Sequence, residues 1–326
     1  MRVFHFIMAM IVTVTLTACS APNINIFGET REPLREVTLS GRGDDKVLLI
    51  SISGTISDVP DKGFMKTSPS VVDQVVSQMN KAANDKRIKT ILFEINSPGG
   101  TITASDLLYH EILSFKERTR KKVVVCMLDL AASGAYYISL PADEIIAHPT
   151  TLTGSVGVIF LQPKVFGLMD KIGLGVDVKK FGKNKDMGSP FREGTEEEQK
   201  LMQKMVNDFG DRFLQLVQKH RKLNQKSLAE VSTARVFIAD EALKLGLIDK
   251  VAYLSDAVNE AKIIANIPTD AQVVVYRRAE YPEDNYYNTA DVTAYRSGVP
   301  LVNIDFPEIL KFKTGFYYLW PGAVSF

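Results

Sequence analysis

Short β-branched runs alternate with stretches of helical period along most of this chain. Val47–Ser53 (VLLISIS), Ile91–Ile95 and Val123–Leu128 are apolar almost throughout and flanked by turn residues. Such runs predict buried strands. Between the first two, Val72, Val75, Val76, Met79 and Ala83 recur on one helical face, after a Ser68-Pro69 pair that reads as a cap and a first-turn proline. Ala104, Leu108, Ile112 and Phe115 line a second helix. Beyond Val123–Leu128 the pattern predicts strands at Glu144–Ala147 and Val176–Phe181, a loop over Thr150–Val158 and a short helix over Pro163–Gly173. Thr195 and Glu198 form a capping box. The long helix it opens carries Leu201, Met205, Phe209, Phe213, Leu216 and Val217 on its apolar face. Helices at Ala239–Leu245 and Asp256–Ile264 flank a strand near Leu247–Ala252. Strands alternating with helices imply an α/β fold with a mainly parallel sheet built of crossover units. The tail from Tyr276, including Phe316-Tyr317-Tyr318-Leu319-Trp320, is aromatic with no clear period. It reads as a packing arm or an oligomer contact.

The N-terminus does not belong to this pattern. Arg2 precedes an apolar run, Phe6–Leu16, which Leu16-Thr17-Ala18-Cys19 closes. The run is too short to span a bilayer and reads as a secretory leader. Its LTAC end resembles the lipobox of bacterial lipoproteins. That resemblance implies cleavage before Cys19, a diacylglycerol on its sulfur and a tether to the membrane. Ser20, where an aspartate would favour inner-membrane retention in enterobacteria, leans towards the outer membrane. The expected organisation is a signal peptide over 1–18, a lipidated tether over 19–46, a folded domain over 47–265 and an extension over 266–326. After Cys19 no apolar stretch is long enough to cross a membrane, so attachment rests on the lipid.

Composition fits a core-forming body, with 45% hydrophobic and 24% charged residues. Once Arg2 leaves with the leader, 38 basic side chains face 38 acidic ones, which gives no nucleic-acid surface. Lipidation would consume one of the two cysteines. Cys126 is then alone on a core strand, a small buried hydrophobe rather than half of a disulfide.

Candidate chemistry gathers where Val123–Leu128 runs into Ala131-Ala132-Ser133-Gly134-Ala135. A serine at a strand-to-helix turn can sit at a helix N-terminus, where backbone N–H groups stabilise an oxyanion. The plain structural reading is a tight turn where only small side chains fit. Gly99-Gly100, after the second strand, reads either as an ordinary turn or as backbone brought close to a substrate. Neither dinucleotide-binding nor P-loop spacing is present. A hydrolytic serine needs a base. Of the four histidines His5 leaves with the leader, His110 lies mid-helix and His220 ends the long helix, which leaves His148 as the one imidazole candidate. A lysine serves if neutral, which requires lowering a reference pKa of about 10.4 by several units. Lys179, Lys180, Lys183 and Lys185 are candidates, and composition does not choose among them.

Four blocks choose by resemblance. INSPGG at Ile95–Gly100, AASGAYYIS at Ala131–Ser139, LTGSVGVI at Leu152–Ile159 and KDMGSP at Lys185–Pro190 resemble the bacterial signal peptide peptidase A family, SppA. They occur in family order between about Val47 and Ala261. The resemblance implies a ClpP/crotonase-like α/β fold and a serine endopeptidase with a Ser-Lys dyad. Ser133 would be the nucleophile and Lys185 the general base. Ser155 would orient the lysine, and Gly100 and Gly134 would supply the oxyanion N–H groups. No metal or cofactor is implied. The family further implies extended hydrophobic peptide substrates such as remnant signal peptides, a homo-oligomeric ring, and work outside the cytoplasm. Ala135 departs from the second glycine of many members, a change a helix tolerates. The lipobox departs from members anchored by a transmembrane helix.

Three other readings stand beside this one. A crotonase-like enzyme would need acyl-CoA, which an exported lipoprotein does not meet. A non-catalytic envelope lipoprotein could use the same framework as a binding or scaffold module. A hydrolase could pair Ser133 with His148.

Overall fold

A computed structural model describes residues 33–62, 67–278 and 314–323. The leader, Cys19 and most of the tether lie outside these residues, as does 279–313 of the extension.

The described elements run β1 (Arg35–Ser40), β2 (Lys46–Ser53), β3 (Asp61–Lys62), β4 (Thr67–Ser68), α1 (Val71–Asn84), β5 (Ile88–Ser97), β6 (Gly99–Thr101), α2 (Ile102–Thr119), β7 (Lys122–Ala132) and α3 (Gly134–Ser139). There follow β8 (Glu144–Ala147), β9 (Leu152–Gly154), β10 (Ile159–Leu161), α4 (Phe166–Lys171), α5 (Glu196–Arg221), α6 (Gln225–Val231) and β11 (Val236–Ile238). The chain ends with α7 (Ala239–Leu245), β12 (Lys250–Val251), α8 (Leu254–Ile264), β13 (Gln272–Arg277) and β14 (Gly315–Leu319).

The main sheet has the order β1-β13-β2-β5-β7-β8-β12, with β9 beside the end of β7 and β11 on β9. From β13 to β12 the neighbours are parallel, and antiparallel pairs occur only at β1–β13 and β9–β11. The near-continuous apolar runs of β2, β5 and β7 follow from burial on both faces. Leu48, Ile50, Ile91, Phe93, Val123 and Val125 point into one core, beneath α1, α2 and the C-terminal half of α5. Val47, Leu49, Leu92, Val124 and Cys126 point into the other, where α8 covers them with Leu254, Ala257, Val258 and Ala261. Each large aliphatic side chain so buried contributes roughly 1.5–3 kcal/mol.

The sheet is wider than the pattern predicts. β1 and β13 lie on either side of the expected 47–265 domain, yet both belong to it. The helix expected from Ser68-Pro69 begins later: Ser68 pairs with Asp61 in a hairpin, and Ser70 caps α1 by accepting from Asp73 N at 3.1 Å. The predicted loop at Thr150–Val158 contains β9, which β7 and β11 hold on either side. Val176–Phe181 is not a strand: among the described residues no strand pairs with it, and all six of its residues are exposed. The capping box at Thr195 and Glu198 is present. Only the C-terminal half of the α5 apolar face is covered: Phe213 and Val217 are buried, whereas Leu201 is exposed.

Cys126 shows how tightly the central strands close. Its side chain is fully buried, and burial, followed by the charges of Glu94 and Asp256, pushes its thiol up to about 12. In a chain beginning at Ser20, where Cys126 is the sole cysteine, a thiol reagent at about pH 8 is expected to leave the native protein unmodified and to react fully once denaturant is added. Rapid labelling without denaturant would show that β7 is not sealed on both faces.

Candidate active site

The carboxyl end of β7 carries the candidate nucleophile. Ser97 of β5 pairs with Ala131, while Ala131 and Ala132 pair with Thr153 and Gly154 of β9. The chain then turns sharply. Ser133 has φ 54° and ψ −114°, a conformation that costs an L-residue energy and persists only where its surroundings enforce it. Here Ser133 N donates to the Gly154 carbonyl at 2.8 Å, and Tyr137 N donates to the Ser133 carbonyl at 2.9 Å, starting α3. The Ser133 hydroxyl is buried and has no hydrogen-bond partner among the described residues. The run of small residues has a steric cause. A Cβ on Gly134 would lie 2.4 Å from the Ser105 hydroxyl oxygen.

Gly100 reaches the same place from β6. Ile56 N donates to the Gly99 carbonyl at 2.9 Å, and Thr101 N donates to the Ile56 carbonyl at 3.0 Å. A Cβ on Gly100 would lie 1.9 Å from the Ile56 oxygen, so only glycine permits this approach. The two contacts to Ile56 use the groups flanking Gly100. By strand alternation its own N–H and C=O face the opposite side, where β14 pairs with β6 and Tyr318 lies opposite Gly100. The amides of Gly100 and Gly134 converge there. A Cβ on Gly134 would lie 3.1 Å from Gly100 N and 3.0 Å from the Tyr318 carbonyl oxygen. One on Gly99, whose φ is +98°, would lie 2.1 Å from that oxygen and 2.7 Å from Gly134 N. The carbonyl of Tyr318 thus sits among the amides of Gly100 and Gly134, beside Ser133.

Ser155 is close by sequence and by contact. It follows Gly154, is buried, has φ 50° and donates its N–H to the Arg235 carbonyl at 2.9 Å. Lys185 lies on an arm spanning 163–191, closed at its base where Val165 N donates to the Pro190 carbonyl at 2.9 Å. No residue of this arm is buried, Lys185 is exposed, and Phe181 near the tip is 99% exposed. The loop bearing Lys185 is nonetheless fixed on one side. Arg192 donates to both carboxylate oxygens of Asp186, from Nε at 2.8 Å and Nη2 at 2.9 Å, and reaches Glu198 at 2.9 Å through its third nitrogen, Nη1. Hydrogen bonds from Arg192, then from Lys180, hold the Asp186 carboxyl well below the usual range. Arg192, then the Thr195 N–H, hold Glu198 down at about 2. Ser133, Gly134 and Gly100 thus meet in one place and Ser155 follows the residue that holds Ser133 N, whereas Lys185 lies exposed on the arm and makes no hydrogen bond to the buried Ser133 hydroxyl.

The described histidines bond other partners than Ser133. His148 Nδ1 hydrogen-bonds the Thr150 hydroxyl at 2.9 Å, and its ring packs edge-on against Tyr253. His220 Nε2 hydrogen-bonds the Tyr109 hydroxyl at 2.8 Å, and burial, then Lys219 and Lys116, lower its pKa.

The feature missed by sequence reasoning is β14. It is the middle strand of a small antiparallel sheet, β10-β14-β6, and its Tyr318 carbonyl lies against Gly134, the residue after Ser133. Phe316–Leu319 carries the aromatic, strand-favouring residues that signal such an element, between Gly315 and Pro321. Tyr318 is fully buried, its ring stacked on Tyr137 at 5.0 Å and tilted against Phe213 at 4.8 Å. Its hydroxyl donates to the Phe209 carbonyl at 3.0 Å. Tyr137 is pinned in turn, its hydroxyl donating to Asp106 Oδ1 at 2.6 Å while Arg212 donates to the same oxygen at 2.8 Å. Burial, then the hydrogen bond to Asp106, push the Tyr137 phenol far above its ordinary value.

Comparison with known proteins places the chain in a family. The profile of Clp protease matches residues 65–151, the stretch from β4 through Ser133 to β8, in keeping with a ClpP/crotonase-like α/β fold. The profile of Peptidase family S49 matches residues 116–268. A candidate signal peptide peptidase SppA of Enterococcus faecium is 32% identical over 252 residues, covering 77% of this chain and 73% of its own. The chloroplastic serine protease SPPA of Arabidopsis thaliana is 34% identical over 72% of this chain and 34% of its own. Protease 4 of Haemophilus influenzae is 30% identical over 74% of this chain and 38% of its own. The chain thus spans little more than a third of the two longer relatives and most of the Enterococcus one. With the buried serine on its strained turn, these matches identify the chain as a member of the SppA family of serine peptidases, peptidase family S49.

Proposed function

We propose that the protein is a membrane-anchored endopeptidase that cleaves extended peptides outside the cytoplasm with a Ser133–Lys185 dyad. The observation that carries the reading is the meeting of Ser133 with the amides of Gly100 and Gly134 around one carbonyl oxygen. Neutral Lys185 Nζ accepts the Ser133 hydroxyl proton as Oγ bonds to the substrate carbonyl carbon. The carbonyl oxygen becomes an oxyanion facing the two amides, where fixed dipoles need no reorganisation. As the C–N bond breaks, Lys185 returns the proton to the departing amine and an acyl-enzyme remains. Water, deprotonated by the same lysine, then attacks the ester carbonyl; as the C–Oγ bond breaks, the lysine returns that proton to Ser133 Oγ, which releases the acid and restores both groups. Ser155, one residue beyond the carbonyl that holds Ser133 N, orients the lysine.

In this reading the lysine comes from a neighbouring copy in a ring. Two features support that. The arm bearing Lys185 exposes Leu168, Ile172, Leu174, Val176, Val178 and Phe181 together, an apolar surface that monomeric proteins rarely leave to solvent. The uncovered first half of α5 adjoins it through the Arg192–Glu198 contact. Attachment follows from the lipid proposed for Cys19, since no helix among the described residues is long and apolar enough to cross a membrane. In a Gram-negative envelope Ser20 favours the outer membrane. Remnant signal peptides are the substrates this reading names.

The test is labelling by a serine-reactive fluorophosphonate, with casein hydrolysis in parallel. Wild type is expected to label and to hydrolyse, and Ser133→Ala and Lys185→Ala are each expected to do neither, with losses of at least about a thousandfold. Full activity in Lys185→Ala would move the base to His148. A folded, assembled wild type with neither property would leave a binding module. A second expectation concerns the arm. Arg192→Ala frees the loop that holds Lys185 and is expected to lower kcat about 10–100-fold with little change in KM, because misplacing a reacting group by about 1 Å costs on that order. Unchanged kcat would show that Arg192 is not needed to place the lysine.

A further inference from the structure

Charge is spread unevenly over a chain whose sum is +1. Two segments, 85–89 (DKRIK) and 116–122 (KERTRKK), carry eight lysines and arginines against Asp85 and Glu117. The fold makes them one surface. They lead into β5 and β7, adjacent parallel strands in which Thr90 lies opposite Lys122. Lys121 turns inward and ties the segments together, donating to the Asp85 carbonyl at 2.6 Å. Lys116 is taken up by the Pro141 carbonyl and by Asp143. Lys86, Arg87, Lys89, Arg118, Arg120 and Lys122 are exposed. The acids beside them leave most of this charge standing. Asp85 is drawn to the buried Lys46 at 3.2 Å as well as to Arg87 at 3.5 Å. The adjoining β1–β2 turn adds Arg42, Asp44 and Asp45, of which Asp45 meets Lys89 at 3.4 Å. Lys122 reaches Asp143 only at 3.8 Å.

Two placements name what meets this surface. The tether leaves beside it, since the Leu34 carbonyl accepts from Lys81 Nζ in the last turn of α1, the helix that runs into 85–89. The fourteen residues between Cys19 and Leu34 reach about 50 Å at most, so a bilayer held through Cys19 lies within range. The surface also lies at the amino ends of β5 and β7, whereas Ser133 follows the carboxyl end of β7, roughly 35 Å along that strand's eleven residues. We propose that this basic edge docks on the anionic phospholipid headgroups of the membrane that holds the tether. The proposal rests on the lipid anchor inferred for Cys19 and is independent of the dyad. A recess of about 260 Å³ notches the surface, its charged lining Lys116, Glu117, Arg120, Lys121, Lys122 and Asp143. There a headgroup phosphate meets four cations and two carboxylates. Each lysine or arginine near an anionic bilayer gains about fivefold in partitioning, an attraction that fades within a Debye length. The lipid holds the protein at the surface, and the basic edge sets which way it faces. Docked, Ser133 stands at the far edge of the sheet, and peptides reach it from the aqueous side.

The experiment uses the full-length lipidated protein on vesicles of phosphatidylcholine alone, or of phosphatidylcholine and phosphatidylglycerol in equal parts. The rate at which each lysine is acetylated is read by mass spectrometry. Lys86, Lys89 and Lys122 are expected to react at least about fivefold more slowly on the mixed vesicles, and to regain their rates in about 1 M salt. Lys226 on α6 and Lys244 on α7, both exposed, are expected to react equally on the two. Joint Arg118→Glu and Arg120→Glu replacement is expected to remove most of the protection of Lys86 and Lys89 and to leave hydrolysis of a soluble peptide unchanged. Equal rates for Lys86, Lys89 and Lys122 on both kinds of vesicle overturn the docking edge. So does equal protection of Lys226 and Lys244, which is indiscriminate adsorption, or full protection in the double variant. Protection by soluble glycerol phosphate on neutral vesicles assigns the recess to a free phosphate and overturns the membrane as its occupant. Flotation separates the anchor from the edge. Protein that does not float with phosphatidylcholine vesicles overturns attachment through Cys19, whereas protein that floats without protection on the mixed vesicles overturns the edge alone.

Discussion

Backbones from three separate segments approach so closely around Ser133 that side chains are all but excluded between them, and the rest of the structure depends on this approach. β6 passes Ile56 at a distance only Gly100 tolerates, and Gly134 has the Ser105 hydroxyl where a Cβ would be. The Gly154 carbonyl, at the end of β9, takes the Ser133 N–H. A residue at φ 54° is held by its neighbours rather than by its own preference. The parallel sheet supplies the rigidity: β5, β7 and β9 end side by side, so the turns that follow them meet at one edge. Fold and chemistry are thus one arrangement, in which the carboxyl ends of parallel strands deliver backbone amides and a hydroxyl to the same point.

The elements buried on two sides were legible in the sequence. β2, β5, β7 and β8 announce themselves as apolar runs, and α2 and α7 as helical periods, because burial leaves little choice of residue type. Ser133, Gly134 and Gly100 were legible for a related reason: where backbones touch, only small residues fit, and small residues in a row are visible. β1, β13 and β14 were not legible as part of the body. Their partners lie far away in the chain, Arg35 opposite Arg277 and Gly100 opposite Tyr318, and local pattern carries no register information over such separations. Val176–Phe181 failed in the other direction. Its residues favour a strand, but β-propensity reports fit to a half-buried pleated surface, and none is offered there. The pairing of Ser133 with Lys185 rests on motif resemblance alone, since Lys185 is exposed and makes no hydrogen bond to the Ser133 hydroxyl.

Polar anchors divide the molecule's labour. Arg192 ties Asp186 to Glu198 at the foot of α5, so the turn bearing Lys185 is fixed to a helix whose far end is in the core. Arg221, at that far end, bonds both carboxylate oxygens of Asp249, and Asp249 also accepts from Ile145 N at the start of β8. α5 is therefore a lever with both ends fastened by bidentate arginines, one to the sheet and one to the arm. Planar guanidinium groups suit such joints because two parallel bonds fix direction as well as distance.

The closure of the arm at Val165 and Pro190 has a consequence for how such a protein changes over evolutionary time. Both ends of the excursion leave the body at one point, so the body folds against the same contacts whatever lies between. Closing a flexible loop costs free energy only logarithmically with length, about 0.6 kcal/mol per doubling. Insertions and deletions between these two residues therefore alter the arm's reach while the serine's surroundings stay as they are. The two halves of the catalytic apparatus proposed for this chain are separately mutable, one locked into a crowded core and the other carried on an arm whose length can change outside its Arg192 anchor.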